Sequence, residues 1–198
     1  HGWDYVVLKD VKRTKFPDRK FKRRVLCDFS SRETVVATVD SINKSFDAVI
    51  ATYENYILPA AWIAEHLGLP GISTESAEAC TDKFIMRSLF AKAPEKISPD
   101  FAIVTSRVDV ENFAKSHSFP LILKPANLAK SLLVTKSNSL AELLNNYEKT
   151  VDSIEGIYKK YAPDRTPQIL IEEFMEGSIH SVDAFVDAKG NPTEWIEP

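Results

Sequence analysis

The chain has 198 residues, 44% of them hydrophobic and 27% charged, which suits one large domain or two small ones and excludes a disordered polymer. A net charge of −3 offers no global cationic field for nucleic acid, no apolar run approaches the roughly 18 residues of a membrane helix, and no signal peptide is visible. Only two cysteines occur, Cys27 and Cys80; two reduced, buried thiols fit a cytoplasmic protein better than a disulfide scaffold, and no Cys/His cluster has zinc spacing.

In chain order, Tyr5-Val6-Val7-Leu8, Arg24-Val25-Leu26-Cys27 and Asp47-Ala48-Val49-Ile50-Ala51 read as short buried strands, because they are brief and rich in β-branched residues. The basic run over 12–24 reads as a solvated loop or, alternatively, as an anion patch. Val35, Val36, Val39 and Ile42 recur at helical spacing within 31–44, with Ser31 as cap. A second helix covers 57–67 and stops at Gly68. Strands alternating with helices imply a parallel sheet, so residues 1–75 are expected to form an open α/β lobe.

The pattern changes after this lobe. One helix is expected over about 76–92, with Ile85, Met86, Leu89 and Phe90 as its apolar stripe. Prolines mark a linker from Ala93 to Pro99. Phe101-Ala102-Ile103-Val104 reads as a strand, and Asp109 as the cap of a short helix. Pro120 to Lys124 and Leu132 to Thr135 read as two further strands. A capping box, Ser139-Leu140-Ala141-Glu142, opens a long helix to about 160. Gln168 to Phe174 is the next strand. Two more flank the turn Lys189-Gly190-Asn191. The order over the second half is therefore β-α-β-β-α-β.

Several residues in this frame are candidates for chemistry. Lys83 lies one turn inside its helix with Arg87 at i+4, and such a cation pair holds either a polyphosphate or solvent. Lys124 ends an apolar strand between Leu123 and Pro125, where its ammonium is either positioned for one anion or snorkels to water. Ile169-Leu170-Ile171 leads straight into Glu172-Glu173, and two carboxylates at the mouth of a core strand need partners. A strand edge flanked by Phe174 and Met175 can read an adenine ring through one C=O and one N–H, or it can simply leave the core at Glu176-Gly177. His180 follows within reach of a ribose or phosphate, or lies on the surface. No GxGxxG or GxxxxGK[ST] pattern occurs, so Rossmann and P-loop sites are not supported.

In combination these elements resemble the ATP-grasp superfamily, nearest to carboxylate–amine ligases of the amino-acid ligase and biotin carboxylase type. The segment from Ala51-Thr52-Tyr53-Glu54 to Leu69-Pro70-Gly71 looks like the end of that family's preceding α/β domain. Thr81-Asp82-Lys83 through Arg87 looks like its first lysine helix, and Pro120 through Pro125 like the lid strand carrying the second lysine. Ile171 through Gly177, followed by His180-Ser181-Val182-Asp183, looks like the adenine hinge and ribose contacts.

The resemblance implies an α/β (α+β) fold: a pre-ATP-grasp parallel lobe at 1–75, a linking helix and linker at 76–98, a lid subdomain at 99–174, and the start of the third lobe at 175–198. It implies that Lys83 and Lys124 neutralise ATP phosphates, that Glu172 and the Glu173 carbonyl accept from the adenine amine, that Met175 N–H donates to the ring, and that His180 or Glu176 approaches the ribose. The implied partners are ATP, a small carboxylate and an amine, with amino acids as the candidate class, and neither nucleic acid nor membrane.

The family's glycine-rich loop after the second lysine is replaced here by Ala126-Asn127-Leu128-Ala129-Lys130-Ser131, so Lys130 and Ser131 are expected to supply phosphate contacts instead. Magnesium is the implied metal, with ligands expected outside this chain and none within it. The expected identity is the ATP-binding part of a ligase, inactive alone, which lacks a first strand–helix unit and retains a tag scar at His1-Gly2. The alternative is a degenerate ATP-grasp module that binds nucleotide or a partner without catalysis.

Overall fold

The computed structural model describes residues 2–12, 23–187 and 189–195. Two parallel strands, β1 (Val7–Asp10) and β2 (Arg24–Cys27), begin the first lobe, with Leu8 opposite Val25. Helix α1 (Arg32–Asp40) starts where Ser31 accepts the Thr34 N–H. Helix α2 (Ile57–Leu67) ends on Gly68, whose φ of 64° is left-handed backbone that costs glycine nothing. Cys27, Val35, Val39 and Ile63 form the small core of this lobe.

Two strand expectations fail here. The first strand begins at Val7 rather than Tyr5. Residues 47–51 form no strand: Val49 packs on the core, but Ile50 is largely exposed, and among the described residues no ladder hydrogen bonds reach the segment. A β-branched run alone does not make a strand when no neighbouring edge pairs with it. Most of the basic run, residues 13–22, lies outside the described residues. At its margins Lys12 pairs with Asp164, and Arg23 pairs with Asp4 at 3.1 Å. Of the two thiols, both free, Cys27 is buried but Cys80 is exposed, contrary to the expectation of two buried ones.

The expected single helix over 76–92 is two: α3 (Thr74–Thr81) and α4 (Lys83–Phe90). Asp82 breaks it in extended backbone, φ −127° and ψ 118°, and its carboxylate accepts the N–H groups of Phe84 and Ile85. A short acceptor side chain favours a cap over a helix interior, which explains the break.

The second half is β3 (Phe101–Val104), α5 (Arg107–Ser116), β4 (Leu121–Pro125), β5 (Thr135–Ser137), α6 (Leu140–Tyr161) and β6 (Ile169–Glu173), in the order expected. Its four strands form one antiparallel sheet, β3-β6-β4-β5. Ser106, not Asp109, caps α5; Asp109 completes the capping box from the third helical position. Ser139 caps α6 as expected, but the Glu142 carboxylate takes the Asn138 N–H. The strand expected at 132–135 starts only at Thr135, because the chain is still turning at Leu133, φ 57°. A hairpin of β7 (Asp183–Val186) and β8 (Pro192–Trp195) follows.

Strand alternation gives the sheet two unlike faces. Leu121 and Leu123 share one face with Ile169, Ile171 and Val104, and form a core with Val110 and Phe113 of α5 and Leu143, Tyr147, Ile154 and Tyr158 of α6. The other face carries Ile122, Lys124, Leu170, Glu172 and Phe101. Phe101 meets Phe84 of α4 edge-on, ring centroids 5.7 Å apart, so α4 lies over this second face.

Candidate functional site

The β4–β6 register places Lys124 opposite Leu170 and Ile122 opposite Glu172, so Lys124 and Glu172 are diagonal neighbours on the α4 face. The Lys124 ammonium donates to Glu172 Oε1, while Arg87 Nε, from α4, donates to Glu172 Oε2 at 3.1 Å. The Glu172 side chain is only 7% exposed, and those of Arg87 and Lys124 are 12% exposed. A carboxylate this deep is tolerable because each oxygen meets a cation. Two cations against one carboxylate leave one positive charge in excess.

Lys83 is the first residue of α4, not one turn inside a helix. Its backbone N–H donates to the Ala126 carbonyl and its ammonium to the Leu128 carbonyl, both at 2.7 Å. Burial pushes its pKa below the ordinary 10.5, and the Lys124 cation adds to the shift. Lys83 is therefore a partly buried cation whose ammonium is held by a neutral carbonyl, with the Glu54 and Asp82 carboxylates offsetting part of the shift.

The loop after Lys124 is gripped from both sides. Arg165 Nη1 donates to the carbonyls of Asn127, at 2.5 Å, and Thr81, at 3.3 Å. The Tyr158 hydroxyl donates to Asn127 Oδ1 at 2.6 Å. Beyond this the backbone is left-handed at Lys130 (φ 63°), Ser131 (φ 53°) and Leu133 (φ 57°). Glycine takes such angles freely, whereas other residues adopt them at a cost of about 1 kcal/mol or more each. The turn a glycine-rich loop makes easily is thus made here under strain.

Lys83, Lys124, Lys130 and Ser131 all line one open cleft of about 520 Å³, together with Glu54, Met86 and Leu128. The structure brings these four sequence-expected residues together. Glu172 does not itself line the cleft; it lies behind Lys124, to which it is bonded. Glu173 points to the opposite face, where its Oε2 accepts the Asp100 N–H at 2.9 Å. Met175 is mostly exposed, and Glu176 and His180 lie beyond it in an exposed segment in which Ser178 Oγ and His180 Nε2 are 2.7 Å apart. None of these last three lines the cleft.

Arg87 is not a solvated helix face: its side chain is nearly buried and pairs with Glu172. Sequence reading missed Arg165, Tyr158 and Asn127. The i+4 spacing of Lys83 and Arg87 was the one available signal; a lone arginine in a Pro-flanked loop gives none. Chemically, three lysines around an open cleft can hold a polyanion, and the cavity suits a triphosphate in charge and size. One carboxylate in the lining, Glu54, suits a magnesium ion only alongside phosphate oxygens and further ligands.

The ATP-grasp domain family profile matches residues 117–194. The alanine–anticapsin ligase of Bacillus subtilis (strain 168) is 32% identical over 147 residues, 73% of this chain and 31% of that protein. The L-amino acid ligase of Bacillus licheniformis superposes with a TM-score of 0.64 at 23% identity, covering 87% of this chain and 38% of that one. The N5-carboxyaminoimidazole synthetase of Staphylococcus aureus, complexed with ADP, gives 0.60 at 14% identity, covering 96% and 45%. The chain thus spans about a third of the length of the curated relatives it matches.

Proposed function

We propose that this chain, which belongs to the ATP-grasp superfamily, is the ATP-binding portion of a ligase that activates a carboxylate as an acyl phosphate and joins it to an amine. The observation that carries this reading is the convergence of Lys83, Lys124 and Lys130 from separate elements on one cleft. Lys83 and Lys124 neutralise phosphates, and Lys130 and Ser131 close over them. Glu172 and the Glu173 carbonyl accept from the adenine amine, Met175 N–H donates to the ring, and His180 or Glu176 meets the ribose. Glu172 has both oxygens engaged by cations, so this role has it exchange or share one of them as the nucleotide enters.

Magnesium, when bound, spreads the developing charge on the phosphates. Its ligands are proposed to lie mainly outside this chain. Acid and amine are small molecules, with amino acids the leading class given the relatives. The setting is proposed to be the cytoplasm; among the described residues no helix is long and apolar enough to cross a membrane.

Calorimetric titration of the chain with ATP, with and without Lys124→Ala, tests the site. Losing one charge-assisted phosphate contact is expected to weaken binding about tenfold or more. Equal affinity in both proteins overturns the assignment. A second reading, a nucleotide-binding module without catalysis, is favoured by the strained, glycine-free loop. A longer form of the protein given ATP, magnesium and mixed amino acids distinguishes the two: release of ADP and phosphate supports the ligase, and nucleotide binding without release supports the module.

A further inference from the structure

We propose that Asp100, His117 and Glu173 form a site for one transition-metal dication of the Zn²⁺ or Co²⁺ class, on the sheet face opposite the lysine cleft. Strand alternation sends Glu172 toward the cleft and Glu173 away from it, beside the C-terminal end of α5. There one ligand atom each from Asp100, His117 and Glu173 lies within 4.8 Å of the other two. His117 Nε2 and Asp100 Oδ2 are 3.5 Å apart. Two ligands about 2.1 Å from a shared tetrahedral ion are about 3.4 Å apart, so this pair is already at bridging distance.

The histidine is prepared as a ligand is. Its Nδ1 lies 2.8 Å from the Phe113 carbonyl, an acceptor that holds the ring proton on Nδ1 and leaves the Nε2 lone pair facing the carboxylates. The ring stacks on Phe113, centroids 3.9 Å apart and planes 10° apart, so it is fixed in orientation. Glu173 is steadied by the Asp100 N–H. One imidazole and two carboxylates suit Zn²⁺ or Co²⁺ rather than Mg²⁺, which prefers oxygen ligands, and the fourth position is left to water.

The cluster already holds a cation of its own. Lys96 Nζ is 3.1 Å from Asp100 Oδ1 and 3.5 Å from Glu173 Oε2, with its side chain 66% exposed. Exposed pairs of this kind are weak, so a dication displaces the ammonium into solvent at little cost. The bound ion then joins the linker before β3, the end of α5 and the exit of β6.

Titration of the full chain with Co²⁺, followed by visible d–d absorption, and with Zn²⁺, followed by heat, tests it. One equivalent is expected, with the intense absorption of a tetrahedral Co²⁺ centre, undisturbed by excess Mg²⁺. His117→Gln and, separately, the surface change Asp100→Asn are each expected to weaken binding at least about tenfold. Lys96→Met is expected to strengthen it severalfold. No tetrahedral spectrum at millimolar Co²⁺, binding that survives both ligand variants, or affinity unchanged by Lys96→Met overturns the site.

Discussion

Arg87 and Glu172 meet where α4 crosses the sheet, Nε to Oε2 at 3.1 Å, with Lys124 completing the clasp on the other oxygen. Glu172→Ala leaves two nearly buried cations facing each other and is expected to cost about 3–5 kcal/mol of stability. Arg87→Met leaves Glu172 with one cation and is expected to cost about 1–3 kcal/mol. Urea unfolding of both single variants and the double variant reads their coupling. Simple additivity means the clasp is not cooperative.

Lys83 predicts a pH dependence. Its pKa is held below 10.5 by burial first and by Lys124 second. In the window between that lowered value and 10.5 the unfolded chain binds the proton that the folded chain has released, so stability rises with pH there. Phosphate binding runs the other way, because it needs the charged form. ATP affinity is therefore expected to fall as pH rises through the lowered pKa, and to stay flatter in Lys83→Arg, whose guanidinium keeps its proton. Calorimetry across alkaline pH checks this; identical profiles count against Lys83 as a phosphate ligand.

The left-handed backbone at Ser131 makes a stability prediction of opposite sign to most mutations. Ser131 is exposed, and φ is 53°. Ser131→Gly relieves the strain and is expected to stabilise by about 0.5–1 kcal/mol, while Ser131→Val destabilises by more. A thermal melt separates the two. Nucleotide binding by the glycine variant reports whether the hydroxyl is used.

Asp82 caps α4 through two N–H groups, and Asp82→Ala is expected to cost about 1 kcal/mol. Because Lys83 follows it directly, the same change is expected to loosen the lysine and weaken ATP binding. Asp82→Asn, which keeps the acceptor, is expected to restore both. Denaturation and titration of the pair test this.

The second half of the fold was legible because its signals were redundant: Leu121 and Leu123 alternate against Lys124, Ser139 caps α6, and the strand-helix order leaves few topologies. The first lobe was less so. Val49 and Ile50 look like strand residues, but whether an edge meets them is a tertiary matter. The break at Asp82 is hidden because no glycine or proline marks it, although the residue type is right for a cap. Of the site, Lys124 is locally recognisable as a lysine at a strand end; Lys83 is expected one turn inside its helix rather than at the start of α4, and Lys130 and Ser131 follow only from the family resemblance. The Arg87–Glu172 pair spans 85 positions and Arg165–Thr81 spans 84, and no local pattern announces a partner at that distance.

The loop after Lys124 is held by its carbonyls: Ala126 and Leu128 by Lys83, Asn127 by Arg165. Every residue type brings the same carbonyl. The path of this loop therefore depends on two cations elsewhere in the chain as well as on its own buried Ala126 and Leu128 and the Asn127 amide that Tyr158 holds. A substitution at Arg165, far along the sequence, can reroute it without touching a single letter of it.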